Sequence, residues 1–254
     1  YDGMDRDEAR KTILDDLEEQ GYLVKTEPYS HNVGTCYRCH NDVEPLISAQ
    51  WFVKMEPLAK EALRVVNEGE TKFVPERFAK TYTNWMENVH DWCISRQRTC
   101  GVPIPIFYCE ECGEAHIDEE SIKAVSDLFA KEGSDSWWIR EASEILPSGT
   151  KCKKCGGVNF RKESDIMDVW FDSGSSHAAV LEERGICDVA DLYLEGNDQY
   201  RGWFQSSLLT AVGAKGEGAP YKTVLTHGWV VDGEGKAMHK SLGNSISPDE
   251  IVKK

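Results

Sequence analysis

The chain has 254 residues, 44 of them acidic against 29 Lys or Arg, for a net charge of −15. That balance argues against a protein that coats nucleic acid non-specifically, and no apolar run reaches the length of a membrane helix. Nine cysteines stand in a sequence with no secretory-signal pattern, which favours metal ligation over disulfides. The length suits one large or two modest domains.

In chain order, Asp5 to Gln20 reads as a charged amphipathic helix, with Ala9, Ile13, Leu14 and Leu17 on one face and Gly21 as its stop. Cys36-Tyr37-Arg38-Cys39 follows. A structural zinc site needs four ligands and this pair supplies two. It reads as a half-site whose partner cysteines precede Tyr1, against the plainer reading of a reduced turn with two spare thiols. Glu44 to Val53 reads as an extended return. Pro57 opens a helix to about Asn67, with Gly69 ending it. From Phe78 to Val89 the helical spacing aligns Phe78, Tyr82, Trp85, Met86 and Val89, an aromatic stripe of the kind that packs a core. Asp91 to Gln97 is a strand candidate, and Arg96 and Arg98 suit either a phosphate or a solvated surface. Cys93, Cys100 and Cys187 have no paired spacing and read as buried free thiols.

Cys109-Glu110-Glu111-Cys112-Gly113 and Cys152-Lys153-Lys154-Cys155-Gly156 form a matched pair of CxxCG turns. Each places two sulfurs in one turn, and the glycine permits a left-handed backbone. Four thiolates define a closed tetrahedral zinc site of structural type. Between the two turns lie a helix near Glu119 to Lys131 and then Trp137-Trp138.

The last sixty residues carry the chemistry. Ala190 to Leu194 is a short apolar run ending on the acidic loop Glu195-Gly196-Asn197-Asp198-Gln199. A helix is expected from about Tyr200 to Val212 and a second strand over 223–231. Strand, helix and strand form a βαβ unit, so the strands should be parallel neighbours, with ligands beyond their carboxyl ends. Glu195, Asp198, Gln199, His227 and Gly228 fall there. A Gly-rich turn then leads through Lys236 to Asn244. Ser247, Pro248 and Glu250 suggest a capped helix just begun, and the chain reads as an internal piece of a longer protein.

Tyr193-Leu194-Glu195-Gly196-x-Asp198-Gln199-x-Arg201-Gly202-Trp203-Phe204, Asp168-Val169-Trp170-Phe171-Asp172-Ser173-Gly174-Ser175-Ser176 and the loop Ala237 to Ser241 together resemble the class I aminoacyl-tRNA synthetases. The loop stands where that family carries Lys-Met-Ser-Lys-Ser. Residues 98–254 resemble the isoleucyl branch. Residues 33–97, notably Val43-Glu44-Pro45 and Phe73-Val74-Pro75-Glu76-Arg77, look more like the valyl branch. Ala237 and His239 depart from the loop signature while Lys240 keeps it, and the family's His-x-Gly-His is absent from the chain.

The resemblance implies an α/β fold, part of a Rossmann-type parallel sheet with zinc-ribbon-like insertions. It divides the chain into a tail of the editing insertion with the Cys36/Cys39 half-site (1–50), a return into the catalytic domain (51–108), a zinc-binding insertion (109–164) and the second half of the catalytic domain (165–254). It implies activation of isoleucine, or valine, with ATP and Mg, and transfer to tRNA by a cytoplasmic enzyme that is monomeric when whole. Lys240 would be catalytic; Glu195, Gly196, Asp198, Gln199, Trp203 and Trp170 would surround the aminoacyl-adenylate; His227, Gly228, Lys240 and Ser241 would meet ATP. The isolated chain is expected to be inactive. The competing readings are a zinc-ribbon module without catalysis and a different nucleotidyl-transferring Rossmann enzyme.

Overall fold

The predicted first helix is present as α1 (Arg6–Glu19), started by the Asp5 carboxylate, which accepts the Asp7 N–H at 2.9 Å. Gly21, at φ 73°, carries the chain away from it. Its apolar face stays open: Leu14 is 45% exposed and Ile13 37%. The computed structural model describes residues 1–36, 39–216 and 218–253, and the backbone but not the side chain of Ser241. They divide into two units, Tyr1–Ala49 and Gln50–Lys254. In the first unit no described residue is buried; α1 is tied to the following segment by ion pairs of Arg6 and Arg10 with Glu44.

The second unit runs through β1 (Phe52–Val53), α2 (Glu56–Asn67), β2 (Lys72–Val74), α3 (Phe78–Glu87), β3 (Trp92–Cys93) and β4 (Ser95–Arg96). The segment 91–97, expected as one strand, is two. β3 pairs antiparallel with β1, whereas β4 pairs with β8 (Ile166–Met167). Two short partners on different sides break the run at Ile94, whose N–H bonds back to the Trp51 carbonyl and whose carbonyl accepts from Asp168.

Between β4 and β8 lies a module with its own core: β5 (Phe107–Cys109), β6 (Ala115–His116), α4 (Glu119–Glu132), the single turns α5 (Ser136–Ile139) and α6 (Ala142–Ile145), and β7 (Phe160–Lys162). The strands form an antiparallel sheet in the order β6-β5-β7. Trp137, fully buried, packs against Phe107 and donates its indole N–H to the Glu163 carbonyl.

After β8 come α7 (Val169–Gly174), a π-helical turn over His177–Glu182, β9 (Tyr193–Gly196), a 3-10 turn over Asn197–Arg201, α8 (Trp203–Lys215), β10 (Thr223–His227), and α9 (Pro248–Val252). β9 and β10 are parallel neighbours, as the βαβ reading requires. The third strand of that sheet, β2, is also parallel to β10, in the order β2-β10-β9. The core packs α2, α3 and α8 against this sheet through Ala62, Val65, Tyr82, Phe204, Leu208 and Val224. Each fully buried Leu, Val or Phe contributes roughly 1.5–3 kcal/mol.

Three expected boundaries move. The helix expected from Tyr200 starts at Trp203, because Asn197–Arg201 is wound as a 3-10 turn. The strand expected to reach Val231 ends at His227; Trp229, Val230 and Val231 are 62%, 68% and 45% exposed and lie outside the sheet. The first strand runs past the apolar residues to include Glu195 and Gly196, which sequence placed in a loop. The Ser247 side chain makes no capping bond, so the capping box with Glu250 is not formed; Pro248 does open α9.

Candidate active site and thiolate cluster

The carboxyl ends of β9 and β10 set the first group of side chains. Glu195 stands opposite Thr226 and Gly196 opposite His227. The missing side chain at Gly196 leaves room for what surrounds it: a Cβ there would lie 2.7 Å from Asp198 Oδ1 and 3.6 Å from His227 Cε1. In the tautomer protonated at Nδ1, the His227 ring donates to the Gly228 carbonyl at 2.7 Å, which turns its other nitrogen outward as an acceptor. Glu195, Asp198 and His227 are exposed. The structure therefore gathers Glu195, Gly196, Asp198, His227 and Gly228 at one sheet end.

Gln199 has a local task. Its Oε1 accepts the Trp203 N–H at 2.9 Å, and its Nε2 donates to Asp198 at 3.1 Å. It serves as the N-terminal cap of α8 from three residues before a cap position occupied by Gly202, which has no side chain to offer. Trp203 turns inward: it stacks on Tyr193 at 4.0 Å with 10° between planes, and its indole N–H reaches the Ser173 carbonyl at 3.0 Å. Trp170 is more open, 39% exposed, and with Gly202, Arg96 and Gln205 it lines a cavity of about 300 Å³.

Asp168 emerges as a hub that sequence reasoning quoted only as part of a motif. It is buried, caps α7, accepts the Trp92 indole N–H at 2.8 Å and pairs with Arg96 at 3.1 Å. It thereby fixes the start of the helix that carries Trp170. Burial, with the Asp168 charge close by, raises the Asp172 carboxyl above its usual range.

The loop after β10 is held by two side chains that motif matching passes over. Asp232 accepts the Glu234 and Lys236 N–H groups at 2.9 Å, and its other oxygen takes the Asn244 amide at 2.8 Å. Asn244 also accepts the His239 N–H at 2.9 Å and donates to the Ala237 carbonyl at 3.1 Å. The Asn244 amide holds Asp232 ionised below the usual carboxylate range. Lys240 sits at the exposed start of a 3-10 turn over Lys240–Leu242, ended by Gly243 at φ 67°. Among the described residues it makes no ion pair, and none joins it to Glu195, Asp198 or His227; Lys236 pairs with Glu234 at 2.9 Å. The Ser241 side chain lies outside the described part.

Cys109, Cys112, Cys152 and Cys155 converge, with all four sulfurs within 4.8 Å of one another. Cys109 and Cys155 are 3.5 Å apart and Cys112 and Cys152 3.6 Å. Four sulfurs about 2.3 Å from one zinc ion would lie ~3.8 Å apart, so the donor set fits such an ion. The two turns are built alike. Cys109 N–H bonds to the Glu114 carbonyl and Gly113 N–H to the Cys109 carbonyl; Cys152 to Gly157 and Gly156 to Cys152 repeat the pattern. The N–H groups of Cys155 and Lys154 bring the Cys152 thiol down to about 7, whereas the hydrogen bond to the Glu111 carboxylate pushes the Cys109 thiol up.

The turn at Cys36 follows the same plan. Cys36 N–H bonds to the Asn41 carbonyl and His40 N–H to the Cys36 carbonyl, both at 2.8 Å. His40, at φ 60°, takes the left-handed position that Gly113 (φ 72°) and Gly156 (φ 77°) fill elsewhere. Tyr37 and Arg38, between the two cysteines, lie outside the described residues. No further pair of cysteines in this chain has the spacing to complete a site there.

A parallel sheet with its acidic and histidine-bearing strand ends together is the arrangement in which α/β folds bind ligands. The sequence profile of the tRNA synthetases of class I (I, L, M and V) matches residues 4–254, and the chain belongs to that family. Within it, the chain is 53% identical over 257 aligned residues to the isoleucine–tRNA ligase of Carboxydothermus hydrogenoformans, covering 100% of this chain and 28% of that protein. The isoleucine–tRNA ligase of Caldanaerobacter subterraneus subsp. tengcongensis is 52% identical over 99% of this chain and 27% of its own length. The chain thus spans little more than a quarter of these relatives. Both alignments cover the valyl-like and the isoleucyl-like stretches. In three dimensions the chain resembles Mycobacterium tuberculosis methionyl-tRNA synthetase bound by methionyl-adenylate, with a TM-score of 0.52 at 14% identity over 87% of this chain and 34% of that one. That likeness supports the fold alone.

Proposed function

We propose that this chain is a catalytic segment of an isoleucine–tRNA ligase, which joins isoleucine to the α-phosphate of ATP with release of pyrophosphate and passes the aminoacyl group to tRNA. The observation that carries the reading is the identity of 50% or more to isoleucine–tRNA ligases across the entire chain. The sheet end supports it, since it gathers acidic and amide groups suited to an α-ammonium and to ribose hydroxyls.

In this reading Glu195, Asp198 and the Gly196 backbone face the aminoacyl-adenylate. Gln199 acts from its capping position, Trp170 supplies an apolar wall, and Trp203 braces the site through its stack on Tyr193. His227 and Gly228 meet ATP at the neighbouring strand end, joined by Ser241 and Lys240 from the loop. As the amino-acid carboxylate oxygen attacks, negative charge grows on the phosphates, and the Lys240 ammonium, free of ion pairs among the described residues, is available to offset it. Magnesium would accompany ATP. Residues 1–50 form the tail of the editing insertion, 51–108 the return to the catalytic domain, 109–164 a zinc-binding insertion and 165–254 the second half of the catalytic domain. The four-thiolate cluster holds zinc in a structural role, and Cys36 and Cys39 supply half of a second site. The whole enzyme works as a cytoplasmic monomer. Among the described residues no helix is long and apolar enough to cross a membrane.

An apolar pocket separates isoleucine from valine by about one methylene, ~10–200-fold, so valine is the competitor to measure. The test is amino-acid-dependent ATP–pyrophosphate exchange by the complete ligase containing this chain. Isoleucine is expected to drive exchange at least ~10-fold better than valine, and Lys240→Ala is expected to lower it by ~10²–10³. Exchange driven best by valine, or unchanged in Lys240→Ala, overturns the reading.

A further inference from the structure

Gly202 is buried at the junction of the 3-10 turn and α8. A Cβ built on it would lie 2.7 Å from both Cη2 and Cζ3 of Trp170 and 2.5 Å from Gln199 Oε1. No real Cβ sits so close to a ring carbon, so a methyl there must push the indole aside or break the Gln199 cap. Trp170 can be pushed: it is 39% exposed and stands in the first turn of a six-residue helix. Its backbone is less free. Asp168 caps that helix and is itself locked to Trp92 and Arg96, and Gly174, at the other end, lies close against the α8 backbone at Ser206. The ring edge therefore rests on Gly202.

We propose that Gly202 is a positioning residue for amino-acid recognition: by lacking a side chain it sets how far the Trp170 ring reaches and so the shape of the apolar wall offered to the substrate side chain. This rests on the reading of Trp170 as a wall of the amino-acid pocket. In this reading Gly202 acts through Trp170. Gln199 is a second neighbour, but its amide is the far end of a flexible side chain and yields more cheaply than a ring.

The experiment compares the complete ligase with its Gly202→Ala, Trp170→Phe and doubly substituted forms, by pyrophosphate exchange at varied isoleucine and varied ATP. Phe is shorter than Trp and makes room for the added methyl. Gly202→Ala is expected to raise the KM for isoleucine about tenfold, the scale of one methylene's misfit, with the KM for ATP within about twofold. In the Trp170→Phe background the same substitution is expected to raise it less than threefold. An equal rise in both backgrounds, an equal rise in the ATP constant, or no change at all overturns the proposal. If Gly202→Ala fails to fold and the double form folds, the coupling to Trp170 stands; if neither folds, the backbone alone demands the glycine and the proposal fails. Absence of isoleucine-driven exchange in the unsubstituted ligase is a different result, which removes the function and not this contact.

Discussion

At the N-terminus of α4 a single carboxylate does several things at once. Asp118 accepts the Ser121 N–H at 2.9 Å and pairs with Lys153 at 3.0 Å, and His116 lies 3.5 Å away. The Ser121 backbone bond, with Lys153 and the Ser121 hydroxyl adding to it, holds the Asp118 pKa near 2 against 3.8. A folded value depressed below the unfolded one contributes stability that is complete above pH ~4 and lost as pH falls through about 2. Asp118→Asn keeps the capping acceptor and removes the charge, so it is expected to cost about 1–2 kcal/mol at neutral pH. The urea midpoints of the two forms should converge as pH falls from about 5 to about 2; a constant gap would remove the linkage. Site chemistry at this scale was partly legible. Cysteine spacing and the acidic strand end stood out in the sequence because both are local patterns. Gly202 and Asp168 did not, because their importance lies in what touches them: a ring thirty residues upstream, an indole and a guanidinium. His40 in the place of a glycine was equally silent, since only the backbone angle reveals the shared turn.

Among the elements, long periodic helices were readable and short strands were not. α2, α3 and α4 were found within a few residues of their ends. β2 escaped notice because it is three residues long with only Phe73 buried, too little for an alternating pattern. The opposite error came from Trp229-Val230-Val231, an apolar run that reads as strand and is exposed. The module between β5 and β7 has a small core built on Phe107, Val125, Trp137 and Ile145. Its two CxxCG turns bring their four sulfurs within 4.8 Å of one another. Close to one zinc ion per chain is expected by atomic absorption. Chelation, or Cys152→Ser, is expected to abolish the near-ultraviolet circular dichroism of the buried Trp137 while the β2-β10-β9 core keeps its helical signal. A metal-free preparation with the Trp137 near-ultraviolet signal intact would remove the ion from the module.

For the molecule as a whole, the burial pattern separates two regimes. Every buried apolar side chain among the described residues lies at Met55 or beyond, while residues 1–49 keep an amphipathic helix with its apolar face open. A segment of that size without a core does not hold a fold by itself. A peptide of residues 1–49 is expected to show no cooperative thermal transition and weak helical circular dichroism in the absence of metal. Residues 50–254 should melt cooperatively. A sharp transition in the short peptide would mean that it draws its stability from contacts other than burial.

The sheet order has a further consequence for how the protein comes into being. β2 precedes its partner β10, the last strand among the described residues, by about 150 positions; at their edge the Thr71 hydroxyl donates to the Tyr221 carbonyl 150 residues further on. At roughly 5–20 residues per second of synthesis, β2 waits about 8–30 s for that partner. Through that interval the apolar faces of α2 and α3 lack the cover that β10 and α8 give them in the folded chain. The thiolate module, complete within the wait, is able to finish on its own core while the catalytic sheet is still being written. A chain cut before Thr223 lacks β10, and so lacks the buried Val224 that α2, α3 and α8 pack around.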